Sequence, residues 1–262
     1  MKDIFFTHVP YRMLVERIDD VVFMGLNPEV YLDADSLDSA KSDDVKRVSA
    51  MLKENGLRTT VHGPFMELSP GSPDPKVRDV SRDRFLQAIE VAAPLSPVRI
   101  VLHAAYDSRR FDGDVGLWLE GSKKTWPGAI KAAKAANTVI ALENVFEEGP
   151  GPMKALMDAF TDDAENFGVC IDAGHLNIFS EASTSTWFSE VGNRVREVHL
   201  HDNHGSVDEH LPIGEGVIDF KFFFSHLRKH AIDYVHTIEP HGEEILKRAL
   251  AAVRQFVGSG AK

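Results

Sequence analysis

Eight short apolar or β-branched runs recur along the chain, and each is followed by a segment with helical spacing. The runs are DIFFTH (3–8), EVYLDA (29–34), RTTVHG (58–63), VRIVLH (98–103), TVIALE (138–143), FGVCID (167–172), VREVHL (195–200) and YVHTIE (234–239). Most are continuous rather than alternating, the pattern of parallel strands buried on both faces. Between them, Leu14, Ile18, Val21 and Val22 mark one helix that ends near Gly25. Ser42 is placed to cap a second, which turns Val45, Val48 and Leu52 inward and has Gly56 just past its end. Phe85, Ile89 and Ala92 define a third, and an Ala-rich stretch at 128–136 a fourth. Weaker helical patterns occupy 153–160 and 184–191. Asp219 caps a late helix bearing Phe220, Phe223, Phe224 and Leu227, and a final helix turns Leu246, Ala249, Leu250 and Val253 to one side.

Eight βα units without an intervening linker predict an α/β fold, a (β/α)8 TIM barrel forming a single domain over residues 1–262. A doubly wound open sheet is the competing topology. It is disfavoured because no glycine-rich phosphate loop follows the first strand. A hydrophobic content of 43% is enough for a core of this size. No apolar run is long enough to cross a bilayer, and the N-terminal MKDIFFTHVP has no cleavable leader pattern. Cys170 is the single cysteine, so no internal disulfide framework exists and a reducing cytoplasm is expected. A formal charge of -11 disfavours non-specific attraction to nucleic acid or anionic membranes unless bound cations alter the local field.

The chemistry lies at the strand ends. His62, His103, Glu143, Asp172, His199 and Glu239 close the third to eighth strands in turn, so a barrel would gather all six at its C-terminal mouth. A lone histidine at a strand end is more often a packed rim residue, but six consecutive strands ending in His or a carboxylate argue for a site. His175 follows Asp172 by three positions, close enough to curl back over it. Asp208 and His210 alternate across one residue, so an extended loop points both to one face. Nine such donors exceed one tetrahedral ion and suit two or three divalent ions. Mixed imidazole and carboxylate ligands favour zinc, manganese or iron over calcium.

In this order, the segments VHGPF, VLHAA, ALEN, CIDAGH, VHLHDN, DEHLPIGEG and TIEP resemble the successive signatures of endonuclease IV and its xylose isomerase-like barrel relatives, sugar isomerases and epimerases included. The resemblance implies a trinuclear zinc centre. His62 and His103 match the ligands of one ion, with Glu143 bridging to a second. Asp172, His199 and Glu239 match the second ion's remaining ligands, and His175, Asp208 and His210 those of a third. It further implies phosphoester hydrolysis by metal-bound hydroxide. The match departs at two places. The loop after the second strand, LDADSLDSAKSDD, carries more acid than base, and Phe65 stands where the endonuclease family has Tyr. A small phosphorylated or sugar substrate is therefore expected rather than duplex DNA.

The alternative is a single-ion sugar isomerase or epimerase held by Glu143, Asp172, His199 and Glu239, with Glu143 and Glu239 as acid and base. The surplus donors favour the hydrolase. A third class, a barrel that binds metal without catalysis, is disfavoured because a core of this size needs no metal. His8, Phe65, Arg109, Arg110 and His201 are candidate substrate contacts, and His201 could also orient a ligand through a hydrogen bond. His204 and His241 read as solvated loop residues that could line the pocket, and Glu147 and Glu148 as solvated. His226, His230 and His236 read as structural, Cys170 as buried and inert, and GEG at 214–216 as a tight turn behind the Asp–x–His pair.

Overall fold

A computed structural model describes residues 4–257. Eight parallel strands follow one another around a closed ring: β1 (Phe5–Pro10), β2 (Asn27–Tyr31), β3 (Thr60–His62), β4 (Ile100–His103), β5 (Ile140–Glu143), β6 (Phe167–Asp172), β7 (Val195–Leu200) and β8 (Val235–Ile238). The ring closes by pairing β1 with β8, Phe6 opposite Thr237 and Thr7 opposite Ile238. This is the expected (β/α)8 TIM barrel. Strand bounds shift by up to three residues from those read in the sequence, and Asp3, assigned there to the first strand, lies outside the described residues. No helix among the described residues is long and apolar enough to cross a membrane.

Two layers of packing explain the continuous apolar strands. Most buried apolar side chains lie in one cluster, which includes Val61, Ile100, Leu102, Ile140, Leu142, Trp118, Trp126 and Phe85. Val101, Ala141 and Cys170 form a separate small cluster. Each of these three precedes a predicted ligand by two positions: His103, Glu143 and Asp172. Side chains alternate along a strand, so the ligand occupies the same face one step nearer the mouth. The inner wall is thus apolar below and metal-capable above.

The helices correct two details. The first predicted helix is broken at Arg17, whose backbone leaves helical geometry, giving helices Tyr11–Glu16 and Ile18–Met24; Gly25, at φ 64°, closes the second. Ser42 is the first residue of its helix rather than its cap, since Lys41 precedes it in extended conformation and makes no side-chain cap bond. Asp219 does cap the helix Phe220–His230, accepting from the Phe222 N–H at 2.9 Å. The acidic stretch after β2 forms a short helix, Ala34–Ser39, because Asp33 accepts from the Ser36 N–H at 2.7 Å and satisfies its first turn.

Candidate metal centre

The strand-end residues meet as expected. His62 ends β3, His103 ends β4, Glu143 ends β5 and Asp172 ends β6; His199 stands one residue before the end of β7, and Glu239 one residue beyond β8. Glu143 is central. Its Oε2 lies 3.0 Å from His62 Nε2 and 3.2 Å from His103 Nε2, and its Oε1 lies 3.1 Å from His175 Nδ1. His199 Nδ1 faces Glu239 Oε1 at 3.1 Å, Glu143 Oε1 at 3.5 Å and Asp172 Oδ2 at 3.9 Å. His175 reaches this centre from the helix Ala173–Phe179, whose N-cap is Asp172, accepting from the His175 N–H at 2.6 Å. One carboxylate therefore both starts that helix and faces the site.

The Asp–x–His pair arrives on a loop tied back to β7. Asp202 accepts from the Gly214 N–H at 2.9 Å and the Ile218 N–H at 3.1 Å, while its backbone bridges Leu211. Gly216 is required here: a Cβ would stand 2.4 Å from both Asn203 O and Asp202 Oδ1. So anchored, Asp208 Oδ2 sits 3.0 Å from His210 Nε2 and 3.4 Å from His175 Nε2. His210 adopts φ 51°, and its Nδ1 hydrogen-bonds the Glu239 carbonyl at 3.0 Å. His201 sits between the two arms, with Nε2 3.0 Å from Asp172 Oδ2 and its ring stacked on that of His210 at 4.0 Å. His62, His103 and Glu143 bring their donor atoms together as one group. Elsewhere the grouping differs. His201 joins Asp172 and His175 in one set, and His210 and Glu239 in another.

The remaining candidates divide. His8 and Arg110 line a cavity of about 870 Å³ over the centre. Phe65 stacks on His103 with ring centres 4.6 Å apart and on Tyr31 at 5.7 Å, forming an aromatic wall. Arg109 instead forks onto Asp107 at 3.0 and 3.1 Å, and its guanidinium lies 6.0 Å from the Phe146 ring centre. Among the loop histidines, His204 pairs with Glu209 at 2.9 Å on the surface, while His241 stacks on His210 and lines the cavity. Cys170 is buried.

Sequence reasoning missed several buried polar residues. Glu147, expected in solvent, is 2% exposed, and its Oε2 accepts from the Val145 N–H at 2.7 Å. Burial pushes its carboxyl up to about 7. Glu29 on β2 and Glu197 on β7 are fully buried beneath the centre. Glu197 precedes His199 by two residues, so strand alternation could have flagged it. Burial, then the neighbouring Glu29, pushes the Glu197 carboxyl well above its usual range, so it is held as the neutral acid. Burial also opposes ionisation of Glu143, but facing His199, His103 and His175 outweigh it and hold the carboxyl well below the usual range. Glu239 is lowered likewise, His199 overcoming the effect of burial.

The donors fit a divalent cation. Both ring nitrogens of His199, together with His201 Nδ1 and Asp208 Oδ1, are buried without a hydrogen-bond partner. Leaving such groups unmet costs about 1–3 kcal/mol each. A cation among them would take up lone pairs that no proton donor reaches, and the imidazole–carboxylate mixture suits zinc, manganese or iron.

The sequence profile of the xylose isomerase-like TIM barrel family matches residues 25–256. The chain belongs to that family. Among solved structures it is similar to a D-tagatose 3-epimerase-like protein, at 22% identity and TM-score 0.81, covering 97% of each chain. It is similar to a Thermus thermophilus protein soaked with ZnCl2, at 24% identity and TM-score 0.77, covering 98% of this chain and 99% of that one. It is also similar to 3-keto-D-glucoside 4-epimerase from E. coli, at 18% identity and TM-score 0.73, covering 97% and 99%. The structural neighbours of this family member include sugar epimerases.

Proposed function

We propose that this chain is a divalent-metal-dependent sugar isomerase or epimerase. One observation carries the reading: two buried carboxylates from separate strands, Glu143 on β5 and Glu239 beyond β8, converge on His199 Nδ1, at 3.5 and 3.1 Å, under the open cavity. A sugar seated there would have a carboxylate to either side of the carbon next to its carbonyl. One would take the C–H proton and the other would return a proton, to the opposite face for epimerisation or to the neighbouring carbon for isomerisation. Both carboxylates rest ionised, so the acid first takes a proton from solvent. Each turnover then moves one proton onto the first carboxylate and one off the second, and the first releases its proton to solvent. Glu143, Asp172, His199 and Glu239 would hold the ion, which when bound supplies positive charge to the sugar oxygen that becomes anionic.

His62 hydrogen-bonds Glu143 Oε2 and His103 Nε2 lies 3.2 Å from the same oxygen, so the two restrict its rotation, while Phe65 packs over His103 and shields that pair from water. The surroundings favour a small, weakly charged substrate over duplex DNA. Arg17 is paired with Asp20 and Glu243, Arg109 with Asp107, and the short helix beside β2 presents Asp35 and Asp38.

Phosphoester hydrolysis, the leading expectation from sequence, remains the second reading. It draws on the additional donors His175, Asp208 and His210, the two histidines lying 3.4 and 3.0 Å from Asp208 Oδ2. One experiment separates them. Metal-loaded protein is incubated in D2O with a panel of ketohexoses and aldoses, and in parallel with bis-p-nitrophenyl phosphate. Deuterium entering the carbon beside the carbonyl is the expected result. Phosphodiester cleavage without any deuterium uptake would replace the sugar reading with the hydrolase.

A further inference from the structure

We propose that His8, Glu29 and Glu239 form an additional divalent-cation site on the β1–β2–β8 side of the mouth, distinct from the nine donors recognised in the sequence except for the shared Glu239. It stands under either reading of the main centre. Glu29 is fully buried, and its two carboxylate oxygens are used unequally. Oε2 is approached by Thr60 Oγ1 at 3.3 Å, Thr237 Oγ1 at 3.5 Å and His199 Nε2 at 3.4 Å. Oε1 is buried without a hydrogen-bond partner and faces His8 Nδ1, likewise buried and unpartnered, at 3.5 Å. His8 Nδ1 in turn lies 3.7 Å from Glu239 Oε1. The donor atoms of the three residues all fall within 4.8 Å of one another.

The spacing points to a metal rather than to hydrogen bonds. A ring nitrogen donating to a carboxylate sits at about 2.7–3.2 Å, and the His62–Glu143 and His201–Asp172 contacts, both 3.0 Å, do so. The His8 contacts are longer by half an ångström or more. Donors placed tetrahedrally at about 2.0–2.1 Å from zinc are separated by about 3.4 Å, which matches 3.5 and 3.7 Å. Charge agrees, since among the described residues the ion-pair partners of Glu29 are His8 and His199, with no Lys or Arg against it. His8 and Glu239 also line the cavity, so an ion held by three donors would keep a position open to a water or a substrate oxygen, the arrangement of catalytic rather than structural sites. The donor types call for zinc, manganese or iron.

The test is metal stoichiometry. Untagged protein is loaded with Zn2+, freed of excess ion by dialysis, and assayed for zinc per chain by plasma mass spectrometry alongside His8→Ala and Glu29→Gln. Each variant is expected to hold one zinc fewer than wild type, and H8A combined with Asp172→Asn one fewer than D172N alone. His8 is on the partly exposed rim, so H8A keeps the test decisive if the buried Glu29 substitution prevents folding. Wild-type stoichiometry in H8A, or in folded E29Q, would overturn the proposal. Absence of sugar deuteration with the one-zinc difference intact would overturn the sugar reading alone.

Discussion

Replacing Glu147 by Gln should remove a pH dependence of stability that originates just behind the metal centre. Glu147 lies on the loop after β5, four residues beyond Glu143, and is 2% exposed. Burial moves its carboxyl from 4.5 to about 7, against the opposing pull of the Val145 and Glu147 N–H groups and of His175. The folded chain therefore keeps a proton that the unfolded chain has released. Its contribution is greatest below pH 4.5, is lost as pH rises to about 7, and is flat above that. At about 1.4 kcal/mol per pH unit, that window amounts to about 3 kcal/mol, of which about 2.5 falls between pH 5 and 8.5. Gln cannot ionise, yet its carbonyl can still accept the Val145 N–H that Glu147 accepts at 2.7 Å. Urea unfolding of chelator-treated wild type and E147Q across pH 5–8.5 should show the variant gaining on wild type by that amount, or by about 5 °C in Tm. Parallel pH profiles for the two proteins would refute the assignment of a neutral buried acid. The loop matters to the site because the Asn144 carbonyl beside it contacts His175 Nδ1 at 3.0 Å.

Three further outcomes follow from the geometry. Glu143→Gln and Glu239→Gln should each slow solvent deuterium exchange into sugar by about 10²–10⁴-fold, and a loss under tenfold in either would remove it from the acid–base pair. Gly216→Ala should cost about 1–3 kcal/mol by driving a methyl into the Asp202–Asn203 backbone turn, and should lower metal retention at Asp208 and His210; unchanged melting and zinc content would show that the loop is held elsewhere. Arg109→Ala should leave kcat/KM within about twofold, because its guanidinium is spent on Asp107 at the surface; a tenfold loss would place it on the substrate.

Much of this protein could be read without its structure. A parallel strand covered on both faces must be apolar along its length, so the eight runs were visible, and their order decided the barrel. Because all strands of a barrel point one way, a ligand at a strand end is already at the mouth. His62, His103, Glu143, Asp172, His199 and Glu239 were therefore placed by sequence alone. Capping at Asp219 was equally local, set by a side chain three residues from the N–H it serves.

What the sequence left open depends on neighbours from distant strands. A glutamate in PEVYL has the same local signature whether it meets water or a barrel interior; only the closed ring encloses Glu29 among Thr60, Thr237 and His199. Glu147 looked solvated in an acidic, glycine-flanked stretch, yet the loop folds inward and strips its water. The position of His201 between two donor groups was likewise settled by contacts across the chain. Residue type and strand period set which donors reach the mouth. Three-dimensional proximity alone decided which of them share a cation, because that depends on tenths of an ångström between side chains far apart in sequence.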